Sequence, residues 1–107
     1  MTSIPPSPLF NLTLFTPKAG ATDAFTAAQL QGLPTFGPIT GLRTSQLFVQ
    51  DGGERLLLLS SFESAEAHRA FTTTTAFQEH RERLLPLLDR SESAYWRLIY
   101  TRDAAGD

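Results

Sequence analysis

A block of four consecutive leucines, Leu56–Leu59, places the strongest constraint on how this chain can fold. Successive side chains of a strand point to opposite faces, so a strand through this block is apolar on both faces and needs cover on both. The block follows an Asp-Gly-Gly sequence at residues 51–53, and glycine supplies the positive φ that a tight turn requires. We therefore predict an antiparallel hairpin that joins a strand at about residues 39–50 to a strand at residues 54–62.

A strand and a helix precede this hairpin. Residues 9–15 alternate in a way that predicts a first strand, again largely apolar on both faces. A helix follows, with Thr22 or Asp23 as its N-cap and its end near Leu33, where glycine and proline stop it.

The segment after the hairpin predicts a helix in two pieces and then a strand. Ser64 can accept a hydrogen bond at the start of the first piece. The β-branched run Thr72–Thr75 is poor in a helix interior, so we predict a break there and a second piece from about Ala76. Beyond the second piece, residues 89–93 predict a polar loop and residues 94–101 predict the last strand.

The resulting order, β-α-β-β-α-β, predicts a ferredoxin-like α+β fold, which is a four-stranded antiparallel sheet with the helices on one face. The other face lacks helices, yet the strands are apolar on both sides. A second copy of the same sheet is the simplest cover, so we predict a homodimer through the helix-free face. The single domain spans residues 9–101, between a flexible proline-rich arm (residues 1–8) and a flexible tail (residues 102–107).

The composition excludes several classes of function. A formal net charge of −2 provides no basic surface for nucleic acid. The absence of cysteine excludes disulfides and thiolate chemistry, and the two histidines do not have the spacing of a metal site. No segment is apolar over the length of a membrane span, and the N-terminus lacks the pattern of a signal peptide. We therefore expect a cytoplasmic protein that has no membrane or nucleic-acid partner and no cofactor.

Three polar residues are candidates for chemistry. His80 lies on an apolar helical stripe, where it can act as a general base or bind a ligand, or can be a half-buried side chain bonded to a backbone carbonyl. His68 can line the mouth of a pocket or lie at the helix surface. Asn11, a polar residue on an apolar strand, can orient a substrate oxygen or satisfy a polar neighbour.

Three aromatic residues lie on the last predicted strand. Trp96 and Tyr100 share one face of that strand, and Tyr95 lies on the other. They can line a flat apolar pocket for an aromatic ligand, or they can pack in the core or at a dimer interface.

The chain resembles the antibiotic-biosynthesis monooxygenase-like domains of the dimeric α+β barrel superfamily. The resemblance is carried by the leucine strand, by Ser-Phe-Glu-Ser-Ala-Glu-Ala-His at residues 61–68, by Phe77, and by Leu-Leu-Pro-Leu at residues 84–87. It implies a dimer in which two sheets face each other. It also implies a pocket for a small apolar or aromatic ligand in each subunit, between the sheet and the helices.

The resemblance further implies where a site would lie. Cofactor-free quinone-forming members and haem-degrading members use an asparagine on strand one, a tryptophan at the strand–helix junction and a histidine on helix two. Asn11 and His80 lie near the first and third of these positions, and Phe62 replaces the tryptophan. A shift of one residue would turn Asn11 to the other face of its strand.

Two hypotheses follow. In the first, the protein is an oxidoreductase of the monooxygenase kind that oxidises an aromatic or apolar small molecule without a metal or cofactor. Asn11 then polarises an oxygen, and His68 or His80 moves a proton. Three aromatic residues complete the pocket: Phe62, Phe71 and Trp96. In the second hypothesis, the protein is a non-catalytic small-molecule-binding or structural homodimer of the same fold.

Overall fold

The computed structural model describes residues 8–104, which form one four-stranded sheet with helices on one of its faces. The strands and helices in chain order are β1 (Leu9–Pro17), α1 (Thr22–Gly32), β2 (Leu42–Val49), β3 (Leu56–Phe62), α2 (Ala65–Thr72), α3 (Thr75–Leu84) and β4 (Leu88–Arg97). The strand order across the sheet is β2-β3-β1-β4, and every neighbouring pair is antiparallel. This confirms the predicted ferredoxin-like α+β fold.

The predicted terminal segments lie mostly outside the described residues. Residues 1–7 of the predicted arm and residues 105–107 of the predicted tail are not described. Residues 98–104 have no regular secondary structure.

The hairpin at the centre of the sequence forms as predicted. Gly52 and Gly53 have φ values of 99° and 76°, which residues with a Cβ rarely adopt. Gln50 N donates to Arg55 O at 2.7 Å, and the two strands then pair antiparallel from Val49 opposite Leu56 onwards. The turn therefore sets the register of the leucine strand.

The helix after the hairpin breaks in the threonine run, as predicted. Ser64 caps α2 by accepting from Ala67 N at 3.1 Å. The cap of α3 is Thr74, which accepts from Phe77 N at 3.2 Å, so α3 begins at Thr75, one residue before the predicted start at about Ala76. The hydroxyl of Thr73 bonds back to Ala70 O at 2.8 Å and so satisfies a carbonyl at the end of α2.

The prediction for the start of α1 was wrong. The N-cap is Ala21, which has no side chain able to cap, and neither Thr22 nor Asp23 takes that position. Both residues lie inside the first turn, where the Asp23 carboxylate is still favoured by the helix dipole.

The predicted start and end of the last strand were also wrong. Residues 89–93, predicted as a polar loop, belong to β4, and residues 98–101, predicted as strand, lie beyond it. β4 is an edge strand whose side chains from Asp89 onwards are exposed, so polar residues carry no burial cost there. The length of β4 matches that of β1, because β4 pairs with β1 along the whole of Leu9–Pro17.

The sheet has one face packed on the helices and one face without them. Phe15 and Leu56 from the sheet pack with Phe25 of α1 and Leu84 of α3 to form the core. Strand alternation places Asn11 and Phe15 on this helix-covered face. The helix-free face carries apolar side chains from all four strands: Phe10, Leu12, Leu14, Phe48, Leu57, Leu59, Ala94 and Trp96.

Candidate active site

A cavity of about 600 Å³ lies between the sheet and the helices. This is within the usual range for small-molecule sites. Its lining is predominantly apolar and includes several aromatic side chains, namely Phe15, Phe36, Phe62, Phe71 and Phe77. The cavity is therefore suited to a flat or apolar ligand.

A row of four polar side chains, one from each strand, crosses the helix-covered face of the sheet. The register pairs Ser45 with Ser60, Ser60 with Asn11, and Asn11 with Tyr95. Paired residues point to the same face, so the four side chains form one continuous polar row. Ser45, Ser60 and Asn11 line the cavity, and the Ser45 and Ser60 hydroxyl oxygens lie 3.0 Å apart.

Asn11 is held in a fixed orientation within this polar row. Its amide nitrogen donates to Ser93 Oγ at 3.1 Å and to Ala94 O at 3.4 Å. Thr13 Oγ1 donates to Asn11 Oδ1 at 3.4 Å. Both amide hydrogens are thus used by β4, and Oδ1 keeps acceptor capacity for a ligand. Only 9% of Asn11 is exposed, so this acceptor lies in a largely dehydrated place.

His68 of α2 is bonded to Tyr95 at one end of the polar row. His68 Nδ1 and the Tyr95 hydroxyl lie 2.8 Å apart, and the two rings meet edge to face at 5.3 Å. The Phe62 ring packs on the imidazole at 5.0 Å. Burial, and to a lesser extent the Arg69 guanidinium, lower the pKa of His68, so the imidazole is neutral at pH 7.

His80 of α3 makes a different set of contacts. Its Nε2 lies 2.8 Å from Gln29 Oε1, and both side chains are buried. The predicted alternative of a backbone carbonyl partner was therefore wrong, because the partner is a side chain of α1. A Cβ on Gly32 would overlap the imidazole ring, so the ring lies directly against that backbone. Burial, followed by the Arg83 charge, lowers the pKa of His80.

His80 keeps one nitrogen without a partner. Within residues 8–104, its Nδ1 is the buried side-chain polar atom that lacks a hydrogen bond. The Gln29 contact assigns the hydrogen to Nε2, which leaves Nδ1 as an unprotonated acceptor beside Gly32. His80 is thus a neutral imidazole wedged between α1 and α3.

The predicted aromatic residues divide between the two faces of the sheet. Phe62 and Phe71 line the cavity, and their rings stack at 6.3 Å. Phe71 also meets the Phe36 ring edge to face at 5.1 Å. Trp96 pairs with Phe10 on the helix-free face and is 56% exposed, so it lies outside this cavity.

The structure thus brings Asn11, His68, Phe62 and Phe71 to one cavity. His80 reaches the same cavity wall, but Gln29 occupies its Nε2. Sequence reasoning did not single out Gln29 or assign Tyr95 a partner. Strand alternation had placed Tyr95 and Trp96 on different faces of the last strand. Only the register of β4 on β1 shows that Tyr95 lies beside Asn11.

Two further properties bear on the class of protein. Among residues 8–104, no three histidine or carboxylate side chains lie close enough together to hold a metal ion. In the same part of the chain, none of the helices combines the length and apolar character that crossing a bilayer requires.

The comparisons with known proteins agree with this architecture. The family model described as antibiotic biosynthesis monooxygenase matches residues 8–83. Among curated proteins, none matches the sequence significantly.

Solved structures with the same fold share little sequence with this chain. A protein from Shewanella oneidensis is 20% identical with a TM-score of 0.76, covering 88% of this chain and 93% of that chain. Rv0793 from Mycobacterium tuberculosis is 21% identical with a TM-score of 0.74, covering 92% and 100%. SnoaB, a cofactor-independent oxygenase from Streptomyces nogalater, is 18% identical with a TM-score of 0.73, covering 92% and 97%.

At these identities the structural likeness shows the fold alone, whereas the family model matches the sequence itself over more than half of its length. The match begins just before β1 and ends within α3. It therefore includes α1, α2, nearly all of α3 and three of the four strands. The protein belongs to the antibiotic biosynthesis monooxygenase family.

Proposed function

We propose that this protein oxygenates a planar aromatic or otherwise apolar small molecule inside the cavity, with dioxygen as the oxidant and without a bound cofactor. The observation that carries the proposal is an apolar cavity with a polar edge at which Asn11 and His68 lie. Family membership supports the reaction class, as does the likeness in fold to SnoaB, a cofactor-independent oxygenase.

The chemistry requires a substrate that becomes electron-rich when it loses a proton. An aromatic compound with an acidic O–H or C–H gives an anion that can transfer electrons directly to dioxygen. At a ring CH₂ group, one dioxygen molecule then yields a carbonyl group and one water, so atoms and electrons balance. A cavity that excludes bulk water removes the hydration shell of such an anion, which makes it more reactive, and protects it from side reactions.

In this proposal Asn11 and His68 have separate roles. Asn11 accepts a hydrogen bond from a substrate hydroxyl through Oδ1, because both hydrogens of its amide are already used by β4. His68 exchanges a proton with the substrate, and its lowered pKa keeps the imidazole neutral for this role at pH 7. Phe62 and Phe71 hold the flat apolar body of the substrate.

His80 takes a supporting role in the proposal. Its Nε2 is bonded to Gln29 and its Nδ1 lies against Gly32, so neither nitrogen is free to act on a substrate. We assign His80 to holding α1 and α3 together at the back of the cavity.

We also propose that the active form is a homodimer. The helix-free face carries Leu12, Leu14, Leu57 and Leu59 from the two central strands, and none of these is covered by a helix. A second copy seated on this face would bury those leucines together with Trp96, which is otherwise 56% exposed.

The function is tested by oxygen consumption with hydroxylated aromatic compounds such as quinols, together with the absorbance of the products. We expect His68→Gln to lower kcat by about 100-fold, the low end for loss of a proton-transferring group. Asn11→Ala should raise KM and lower kcat. Glu79→Gln, an exposed change on α3, is the control and should keep wild-type rates. Equal rates in His68→Gln and wild type would refute the proton-transfer role of His68. If the wild type itself binds these compounds without turning them over, the non-catalytic alternative is favoured.

A further inference from the structure

The hydrogen bond between His68 and Tyr95 joins the cavity to the outside of the protein. His68 lines the cavity, whereas Tyr95 is not part of the lining and is 41% exposed. The two side chains come from different elements, α2 and β4, and their 2.8 Å contact is the link between them. A chain of hydrogen-bonding groups therefore runs from the ligand space through an imidazole to a phenol at the surface.

The chemistry of the two groups decides which of them donates. A phenol has one hydrogen and is the stronger acid, whereas an unprotonated imidazole nitrogen is the better acceptor. The Tyr95 hydroxyl therefore donates to His68 Nδ1 in the resting protein. The hydrogen of the neutral imidazole then lies on Nε2, which is the nitrogen left to act on a ligand.

The surroundings of His68 favour this neutral form. The charged neighbour on its own helix is Arg69, which is paired with Glu66 at 3.8 Å. β3 contributes the apolar Phe62 ring, and β4 contributes the Tyr95 hydroxyl. The nearest charged residue on the same face of β4 is Arg97. The carboxylate among these groups, Glu66, is paired with Arg69, so it does not offset the effect of burial on His68.

We propose that Tyr95 and His68 form a proton relay that delivers a proton from solvent to an anionic oxygen of the bound ligand. Tyr95 acts through His68, so it is a positioning and proton-supplying residue. The inference rests on the proposed function, since it gives His68 a direction of proton transfer in that site.

The relay consists of three linked transfers. The N–H bond at His68 Nε2 breaks and an O–H bond forms on the ligand. The Tyr95 O–H bond breaks as Nδ1 gains that hydrogen, and the phenolate oxygen takes a proton from water. The net change is one proton moved from water to the ligand, with no change of oxidation state. From the other tautomer, with the hydrogen on Nδ1 and Nε2 unprotonated, the same path run in reverse carries a substrate proton out to solvent.

The test uses the ring nitrogens of ¹⁵N-labelled protein, observed by NMR without any substrate. In the wild type we expect His68 Nδ1 to have the signal of an unprotonated acceptor and Nε2 that of an N–H. In Tyr95→Phe, both signals should move towards the average of the two tautomers. Tyr100→Phe is the matched control, because Tyr100 is 68% exposed and lies beyond β4. His68→Gln and His80→Gln assign the signals.

A His68 spectrum that is the same in Tyr95→Phe and wild type would overturn the relay, as would a wild-type signal showing the hydrogen on Nδ1. Where a substrate is turned over, we expect Tyr95→Phe to lower kcat by about tenfold at unchanged KM, which corresponds to about 1.4 kcal/mol. A larger solvent hydrogen isotope effect should accompany this loss. Failure of the proposed function gives no turnover but leaves the Tyr95-dependent tautomer intact, so the two failures can be told apart.

Discussion

The contact between Gly32 and His80 gives a sharp prediction for a single methyl group. Gly32 ends α1 with φ −84° and ψ −39°, an ordinary helical conformation that alanine adopts without strain. Considered locally, Gly32→Ala should stabilise the helix by about 1 kcal/mol, since glycine is the poorer helix former. In the folded protein, however, the new Cβ would overlap the His80 imidazole.

The packing around His80 sets the energetic cost of this overlap. His80 cannot retreat freely, because it is 4% exposed and its ring packs edge to face on Phe36 at 5.2 Å. Forcing a methyl group into such a core costs about 1–3 kcal/mol. Displacing the imidazole also breaks its 2.8 Å bond to the buried Gln29, and an unsatisfied buried group costs about 1–3 kcal/mol more. After the local gain is subtracted, we expect Gly32→Ala to destabilise the protein by about 1–5 kcal/mol.

A double-mutant cycle with His80→Ala isolates this contact. The assay is urea unfolding followed by circular dichroism at a fixed protein concentration, since a dimer's stability depends on concentration. In the His80→Ala background the ring is gone, so Gly32→Ala should become neutral or stabilising by up to about 1 kcal/mol. Gln31→Ala, an exposed neighbour on the same helix, is the control and should change stability by less than about 0.5 kcal/mol in either background. If Gly32→Ala has the same effect with and without the His80 ring, the reasoning is wrong.

Two other predictions concern pH and assembly. The pKa of His80 is lowered in the folded state but is near 6.5 in the unfolded chain, so the unfolded chain binds the proton first as the pH falls. The free energy of unfolding should therefore decrease below about pH 6.5, and His80→Gln should make that decrease shallower in urea titrations at several pH values; parallel curves would contradict this. For the proposed homodimer, Leu57→Asp on the helix-free face should halve the mass measured by light scattering, whereas Leu30→Asp, at a 61% exposed position on α1, should not. A monomeric wild type would refute the proposed interface.

Local sequence patterns predicted most of the elements. The leucine block, the Asp-Gly-Gly turn and the Ser64 cap depend on residues within a few positions of one another, so they could be recognised without a tertiary structure. The break in the threonine run was predicted for the same reason, since β-branched residues weaken a helix wherever they lie. The element order then allowed few topologies other than the ferredoxin-like one.

β4 shows where local patterns stop being informative. Its first half, residues 89–93, is polar and has no alternation typical of a buried strand. Those residues form a strand because the β1 backbone offers hydrogen bonds to them, and an edge strand does not need apolar side chains. No pattern within β4 itself contains that information.

The sequence by itself determined that this chain forms a hairpin-centred α+β fold with one sheet face left apolar and bare. It also supplied the candidates Asn11, His68 and Phe62. Only the tertiary structure decided that Asn11 points to the helix-covered face, that Tyr95 is hydrogen-bonded to His68, and that Gln29 is hydrogen-bonded to His80. The physical reason is that these contacts depend on strand register and helix packing between residues far apart in sequence, where a shift of one residue reverses the face of a side chain.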